Sequence, residues 1–364
     1  MRNIELEWFR NYLLNRRQRC RINNCLSEWI QINIGVPQGS ILGPLLFAIF
    51  INDLPNFIRK HDNISGCVIS LFADDTEITV SHTDPAQLTD YANEIITLAQ
   101  KWFRINKLTL NPGKTRTILF TKSPSITPSI DGIQIKEVYS TNQIDEDKMF
   151  KFLGFQLDEK LDFKSHTEQV IKKLNSANYI IRRIKNQLGT QQKINIYNAI
   201  FRSQFEYGIS IWCNEVNIKR IEKLQKRAIF AVDGPSNKRH SEPIFKKLGL
   251  LDVKDIKSLN DIGLAHGVIH NYSPILVTRS LQKKVINPIV NLRSNANTLD
   301  LEESQANSRS ITKWIIPNLW NQLGQEDKEV DKIKKLKLKL KKRYLDRYTN
   351  NPICGIQNCF VCGQ

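Results

Sequence analysis

Phe72-Ala73-Asp74-Asp75 sets two carboxylates side by side at the end of an apolar stretch. The run from Cys67 to Ala73 is nearly all apolar and of strand length, and Ile78 and Val80 then alternate with Glu77 and Thr79. That pattern predicts a buried hairpin with the two acids at its tip. Burying like charges together is costly unless a cation neutralises them. Adjacent hard-oxygen acids on a tight turn suit a divalent metal, ordinarily Mg2+. Two such ions would stabilise both the attacking and the leaving oxygen in phosphoryl transfer. A bare Asp-Asp pair is more often a solvated acidic turn, so its surroundings decide between the two readings.

Upstream lies Gly35-Val36-Pro37-Gln38-Gly39-Ser40-Ile41-Leu42-Gly43-Pro44-Leu45-Leu46-Phe47, with Gly39 and Asp74 35 positions apart. Its glycines and Ser40 allow close backbone approach to a ligand, and the Gln38 amide offers both donors and acceptors. Downstream come Asn111-Pro112-Gly113-Lys114-Thr115 and Phe152-Leu153-Gly154-Phe155. These four segments, in this order, resemble the later palm motifs of reverse transcriptases from non-LTR (LINE-type) retrotransposons, closest to the jockey-like group. The resemblance covers roughly residues 4–250 and is most specific at 35–47 and 72–75.

The resemblance implies an RNA-directed DNA polymerase that adds dNTPs to a primer 3′-end on an RNA template. It implies two Mg2+ ions as cofactors, with the template RNA, the DNA primer and dNTPs as partners. Asp74 matches the metal-binding aspartate of the catalytic hairpin, and Asp75 its supporting neighbour. Gln38, Gly39 and Ser40 match the loop that lies against the template and the incoming nucleotide. Lys114 matches a lysine proposed in related polymerases to protonate the leaving pyrophosphate; a solvated turn lysine is an equal alternative. Phe152, Leu153 and Gly154 match the primer-grip hairpin, where strand packing explains the two apolar residues equally well. Lys172 and Arg183 would lie in the thumb, where a solvated helix face competes with phosphate contact.

Right-hand polymerases complete the metal site with another aspartate from an earlier strand, and no Asp precedes Asp53 here. The resemblance also places Met1 inside a palm helix, with fingers and an upstream endonuclease absent. The expectation is a fragment that is inactive alone, with apolar surface left exposed. A non-catalytic nucleic-acid-binding remnant of such an element is the alternative. A host RNA-binding protein with a merely palm-like fold leaves the paired motifs at 35–47 and 72–75 unexplained.

The elements that must hold these residues are mixed. Ile4, Trp8, Tyr12 and Leu13 suggest an amphipathic start, and Trp29 to Ile34 alternates like a strand. Residues 41–53 are apolar enough for a buried helix or a strand-like turn. After Asp84-Pro85 a helix carries Leu88, Tyr91, Ala92, Ile95, Ala99, Trp102 and Phe103 on one face. Strands are expected at 115–121, on either side of Asp131-Gly132, and at 151–157. From residue 163, Val170, Leu174, Ala177, Ile181, Ile184 and Leu188 recur at helical spacing, with Lys172 and Arg183 opposite. Helical patterns continue over 191–212 and 218–232 and weaken past Gly234-Pro235. The expected class is α+β. A partial right-hand palm, an antiparallel sheet with helices, spans 1–160, and a helical thumb or connection spans 161–250. A poorly defined, helical and basic C-terminal region with terminal cysteines spans 251–364.

Composition agrees with a polyanionic partner. In 364 residues, 53 Lys and Arg outweigh 36 Asp and Glu, for a formal charge of +17. At 41% hydrophobic, the chain can build a core, and no apolar run reaches the ~18–20 residues of a membrane span. Seven cysteines without a secretory leader point to reduced thiols inside the cell, nuclear or cytoplasmic, with no membrane association. Cys354, Cys359 and Cys362 have a C-x4-C-x2-C spacing but lack a fourth ligand, so three free thiols are favoured over zinc. Lys332 to Arg343 holds eight positive charges and no negative one, either a nucleic-acid or nuclear-import patch or a solvated helix.

Overall fold

The computed structural model describes residues 4–61, 66–120, 149–158, 160–234, 240–274 and 315–348, with 277, 278, 281 and 299. The chain divides into two compact units, Met1–Phe150 and Lys151–Gln364.

In the first unit, α1 (Ile4–Leu13) buries none of its residues. A ribbon follows, in which β1 (Arg16–Gln18) pairs antiparallel with β4 (Ile30–Ile32), and β2 (Arg21–Ile22) with β3 (Cys25–Leu26). Helices α2 (Gly43–Ile51) and α3 (Leu54–His61) lead to the hairpin of β5 (Cys67–Phe72) and β6 (Asp75–Val80), and α4 (Pro85–Ile105) closes the unit's core. That core is small: Ile51, Leu54 and Ile58 meet Ile95, Ala99 and Trp102. The strand period of two sends Ile69, Leu71 and Ile78 inward to pack on it, with Phe47 from α2 beside them. The apolar face read for residues 88–103 is this packing face. Helix α2 is apolar all round, yet only part of it is covered, and Leu45, Ile49 and Phe50 are exposed.

Two expectations need correction here. Residues 115–120 carry no strand ladder among the described residues. The expected α+β class with antiparallel strands holds, and among the described residues the strands form four two-stranded pieces. The strand read over 151–157 is a hairpin, β7 (Met149–Phe152) and β8 (Phe155–Asp158), because Leu153 (φ 44°) and Gly154 (φ 85°) form a two-residue turn. The signals around Asp131 lie outside the described residues, as do Cys354, Cys359 and Cys362.

The second unit is helical. Helix α5 (Lys164–Ile184) buries Val170, Leu174, Ala177 and Ile181 and leaves Lys172 and Arg183 exposed. It packs on α9 (Glu215–Asp233) and on a longer helical run. That run is α6 (Thr190–Ile196), a π-helical turn (Tyr197–Arg202) and α7 (Ser203–Glu206). Gly208 (φ 57°) breaks the run before α8 (Ile209–Trp212). Helices α10 (Ser241–Leu248), α11 (Val253–Ile269), α12 (Ile316–Asn321), α13 (Gln325–Lys328) and α14 (Ile333–Arg347) complete the unit.

One core runs through all of it, from Val170 to Tyr348, so residue 250 lies within a core rather than between two. Gln225 on α9 shows why. Its fully buried amide donates to Tyr197 Oη at 2.9 Å and to the Leu251 carbonyl at 3.0 Å, and accepts from Val253 N–H at 2.9 Å. Tyr348 adds a second tie, donating to Asp255 Oδ2 at 2.6 Å while its oxygen accepts from Asp252 N–H at 2.9 Å.

Candidate active site

The β5–β6 register pairs Phe72 with Asp75 and leaves Ala73 and Asp74 as the whole loop. Ala73 carries the positive φ (51°) that this turn needs at its first central position, normally a glycine's conformation. Asp74 therefore sits at the extreme tip. Asp75 lies on the outer strand face with Phe72, opposite the face on which Ile69, Leu71 and Ile78 pack. Both acids are exposed, and Phe72 is 63% exposed. The expected burial of the tip is thus corrected. Helices cover only the inner face of the hairpin, and its turn reaches past them. Desolvation does not force a cation onto these acids, and what remains is their adjacency in the open.

The loop over 35–42 is built by its own hydrogen bonds. Ser40 Oγ donates to the Pro37 carbonyl at 2.7 Å and accepts from Gly43 N–H at 3.1 Å, which satisfies one orphan donor of α2. Gly43 makes this possible, since a Cβ there would stand 2.9 Å from Ser40 Oγ and 3.3 Å from the Pro37 carbonyl. Gln38 and Gly39 stay exposed, and Gly39 is left-handed at φ 79°. The loop leads into α2, whose Phe47 and Ile51 enter the core that also seats β5 and β6. Gln38–Ser40 and Asp74–Asp75 are therefore mounted on one small scaffold.

Arg16 was not legible as part of this region. Its Nε donates to the Leu13 carbonyl at 2.9 Å and its Nη2 to the carbonyls of Ile34 and Gly35. One guanidinium thus joins the end of α1 to the entry of the loop. Nothing in its sequence context marks it out from its neighbours Arg17, Arg19 and Arg21.

Lys114 ends a 3-10 turn, Pro112–Lys114, with its backbone N–H on the Asn111 carbonyl at 3.1 Å and its side chain exposed. No bond joins it to Asp74 or Asp75 among the described residues. No group of three or more His, Cys, Asp and Glu is placed to hold a metal ion among those residues. The two acids fit Mg2+ in kind, and such ions are commonly held by one or two carboxylates together with substrate phosphates. In number they fall short of a converging set.

Phe152, Leu153 and Gly154 form the end of β7 and the turn into β8. Tyr207, at the helix break before Gly208, donates its hydroxyl to the Leu153 carbonyl at 2.8 Å and stacks on Phe155 at 5.0 Å. Trp212 Nε1 donates to the Tyr207 carbonyl at 2.9 Å, and its ring meets His166 edge-on at 5.0 Å. Burial, then the charge of Lys173, holds the His166 imidazole below its ordinary pKa of 6.5. The signal for this anchor was available, since Gly208 is the one glycine between Gly189 and Gly234 and interrupts a helical pattern.

The basic run on α14 is partly spent on folding. Leu336 and Leu340 are buried, Lys339 and Arg343 bind the buried Asp327 at 2.8 and 2.7 Å, and Lys337 reaches Asn260. Lys334, Lys335 and Lys342 remain exposed. No described helix is long and apolar enough to cross a membrane.

The two-acid turn and the glycine loop stand on a shared strand–helix core, and residues 1–157 match the reverse transcriptase (RNA-dependent DNA polymerase) family. The chain is also similar to curated relatives. A probable RNA-directed DNA polymerase from transposon X-element of Drosophila melanogaster is 27% identical over 236 residues, 62% of this chain and 24% of the relative. One from transposon BS of the same organism is 29% identical over 231 residues, covering 61% and 25%. The RNA-directed DNA polymerase from mobile element jockey of Drosophila funebris is 27% identical over 223 residues, covering 58% and 23%. These matches agree with the resemblance to LINE-type, non-LTR reverse transcriptases. The chain spans about a quarter of the length of these relatives.

Proposed function

We propose that this chain carries palm (1–160) and thumb or connection (161–250) elements of an RNA-directed DNA polymerase that extends a primer 3′-end with dNTPs on an RNA template. The observation that carries this reading is the exposed Ala73–Asp74 turn with Asp75, mounted on the same core as the Gln38–Ser40 loop. In this reading Asp74 and Asp75 would hold Mg2+. The metal, when bound, supplies positive charge at the oxygens of the transferring phosphate. Gln38, Gly39 and Ser40 lie against template and nucleotide, Gly39 leaving room for a base and Gln38 offering its amide. Phe152, Leu153 and Gly154 position the primer end, held by Tyr207. Lys114, exposed on its turn, is free to give a proton to the leaving pyrophosphate.

We further infer that these 364 residues alone do not turn over. No Asp precedes Asp53, and the described residues bring no third acidic ligand to Asp74 and Asp75. Without converging ligands the in-line geometry is poorly held. The alternative reading is a chain that binds nucleic acid through its basic surface without catalysis.

The test offers the purified chain oligo(dT)-primed poly(rA), dTTP and Mg2+, with Asp74→Asn as control. The expected result is no extension by either protein. A Mn2+ titration read by electron paramagnetic resonance, with dTTP present, should show a bound ion that Asp74→Asn abolishes. Extension by the native chain but not by the variant overturns the inactivity. Mn2+ binding indifferent to Asp74→Asn and Asp75→Asn overturns the metal assignment.

A further inference from the structure

The ribbon ahead of the glycine loop has one face with a chemistry of its own. Gln18 pairs with Ile30, while Cys20 N–H donates to Ser27 Oγ at 2.9 Å and Ser27 N–H to the Cys20 carbonyl at 3.0 Å. Arg19 alone therefore faces both Glu28 and Trp29, a β-bulge. Alternate residues along this segment are thus Arg17 on β1, Arg19 in the link and Arg21 on β2, with Trp29 against Arg19. All four are exposed, Trp29 by 55%. The Arg19 guanidinium lies over the Trp29 ring at 4.5 Å from its centre. Arg21 Nε donates to the Asn23 carbonyl at 3.2 Å, which steadies that side chain. Glu28 is the one acid between Arg16 and Ile34.

We propose that this face docks the unpaired stretch of the RNA template. Side chains two apart on a strand stand ~7 Å from one another, so three guanidinium forks are spaced along a line. Forks of this kind match phosphate oxygens two at a time, as an ammonium does not. An exposed indole stacks on a base only where that base has a free face, which selects an unpaired strand over a duplex. The identity of the strand as template rests on the polymerase reading. Strand β4 runs directly into Gly35, Arg16 fixes that junction, and the same strand of RNA would continue from the ribbon to Gln38–Ser40.

The experiment uses the full chain and a labelled RNA–DNA hybrid with a single-stranded RNA overhang, without metal or dNTP, read by fluorescence anisotropy over a salt series. Replacing the three residues together (R17Q, R19Q and R21Q) should weaken binding about tenfold at low salt. It should also lower the slope of log affinity against log salt by about two, since each phosphate on a single strand contributes ~0.7. Trp29→Ala should weaken binding a few-fold and leave the slope unchanged. The lysine triple (R17K, R19K and R21K) should keep the slope. Native affinity and slope in the glutamine triple overturn the proposal. An equal loss on a blunt hybrid without overhang overturns the assignment to unpaired RNA. Asp74→Asn should bind the hybrid normally, so a failed metal site and a failed ribbon are read on different variants.

Discussion

The hydroxyl of Tyr207 donates to the carbonyl of Leu153 at 2.8 Å, across 54 residues of sequence, while its ring lies on Phe155. A turn that holds a leucine at φ 44° is thereby fastened from outside at the residue under strain. Strain of this kind persists only where surrounding contacts over-determine it. Tyr207→Phe keeps the stacking and should lose about 0.5–1 kcal/mol of unfolding free energy in urea. Tyr207→Ala should lose about 2 kcal/mol, since the ring contact goes too. Equal stability of the phenylalanine and alanine variants would show that the ring contributes nothing.

Gly208 lies against the other side of the same contact. A Cβ there would run into the Phe155 ring, and φ 57° already disfavours any side chain. Gly208→Ala should therefore cost about 2–3 kcal/mol and expel the ring from its stack on Tyr207. Near-ultraviolet circular dichroism reads that displacement. A variant with native stability and an unchanged aromatic spectrum refutes it.

Ala73 poses the converse problem at the tip of the acidic hairpin. A non-glycine residue at φ 51° costs roughly 1–2 kcal/mol, and a β-branched one more. Ala73→Val should destabilise the hairpin by about a further 1 kcal/mol and weaken Mn2+ binding with dTTP, although no carboxylate is touched. Ala73→Gly should stabilise the hairpin by up to about 1 kcal/mol and leave Mn2+ binding close to native. Tight Mn2+ binding by the valine variant would mean that turn geometry does not set the acid pair.

The sequence made local patterns legible and long-range ties illegible. The hairpin at 67–80, the inward face of α4 and the buried stripe of α5 could be read because each is half-buried, so its periodicity survives. Past residue 250 the same method failed for a physical reason. Helix α11 is buried nearly all round and carries Asp255, Lys257, Asp261 and His266 inside, with Lys257 on Asp261 at 2.6 Å. No stripe remains for a pattern to reveal. The motifs around Gly35 and Leu153 were legible through resemblance, whereas Arg16 and Tyr207, which hold them, act through backbone carbonyls that carry no sequence signature.

His266 makes the second unit sensitive to acid. It is fully buried, with Nε2 at 2.6 Å from the Val330 carbonyl and Nδ1 against Tyr272 Oη. A carbonyl only accepts, so Nε2 carries the proton and Nδ1 takes the tyrosine's. Burial first, with the stacked His270 adding, holds its pKa below 6.5 against the opposing pull of the Val330 carbonyl and Asp331. The unfolded chain takes up its proton as pH falls through 6.5, and the folded chain only at lower pH. Stability is thus complete above that value, declines below it, and levels off once both states are charged. The melting temperature should therefore fall between pH 7.5 and 5.5. His266→Gln should flatten the fall, and His166, lowered in the same direction, should account for the remainder. A native melting temperature constant across that range disproves the coupling.

Arg16 supplies the last test, because it separates charge from geometry at the glycine loop. Its fork spans the carbonyls of Leu13, Ile34 and Gly35, which a lysine's single ammonium cannot do. Arg16→Lys keeps the net charge and should still release the loop. Losing a hydrogen bond worth about 1 kcal/mol should speed amide exchange over residues 34–40 by roughly fivefold at neutral pH. The helices of the second unit should exchange at their native rates, which excludes global loosening. Arg16→Ala should give the same local acceleration as Arg16→Lys if the fork's shape is what matters. Protection retained in the lysine variant would instead assign the effect to charge alone, and the loop would then be ordered by Ser40 and Gly43 without help from α1.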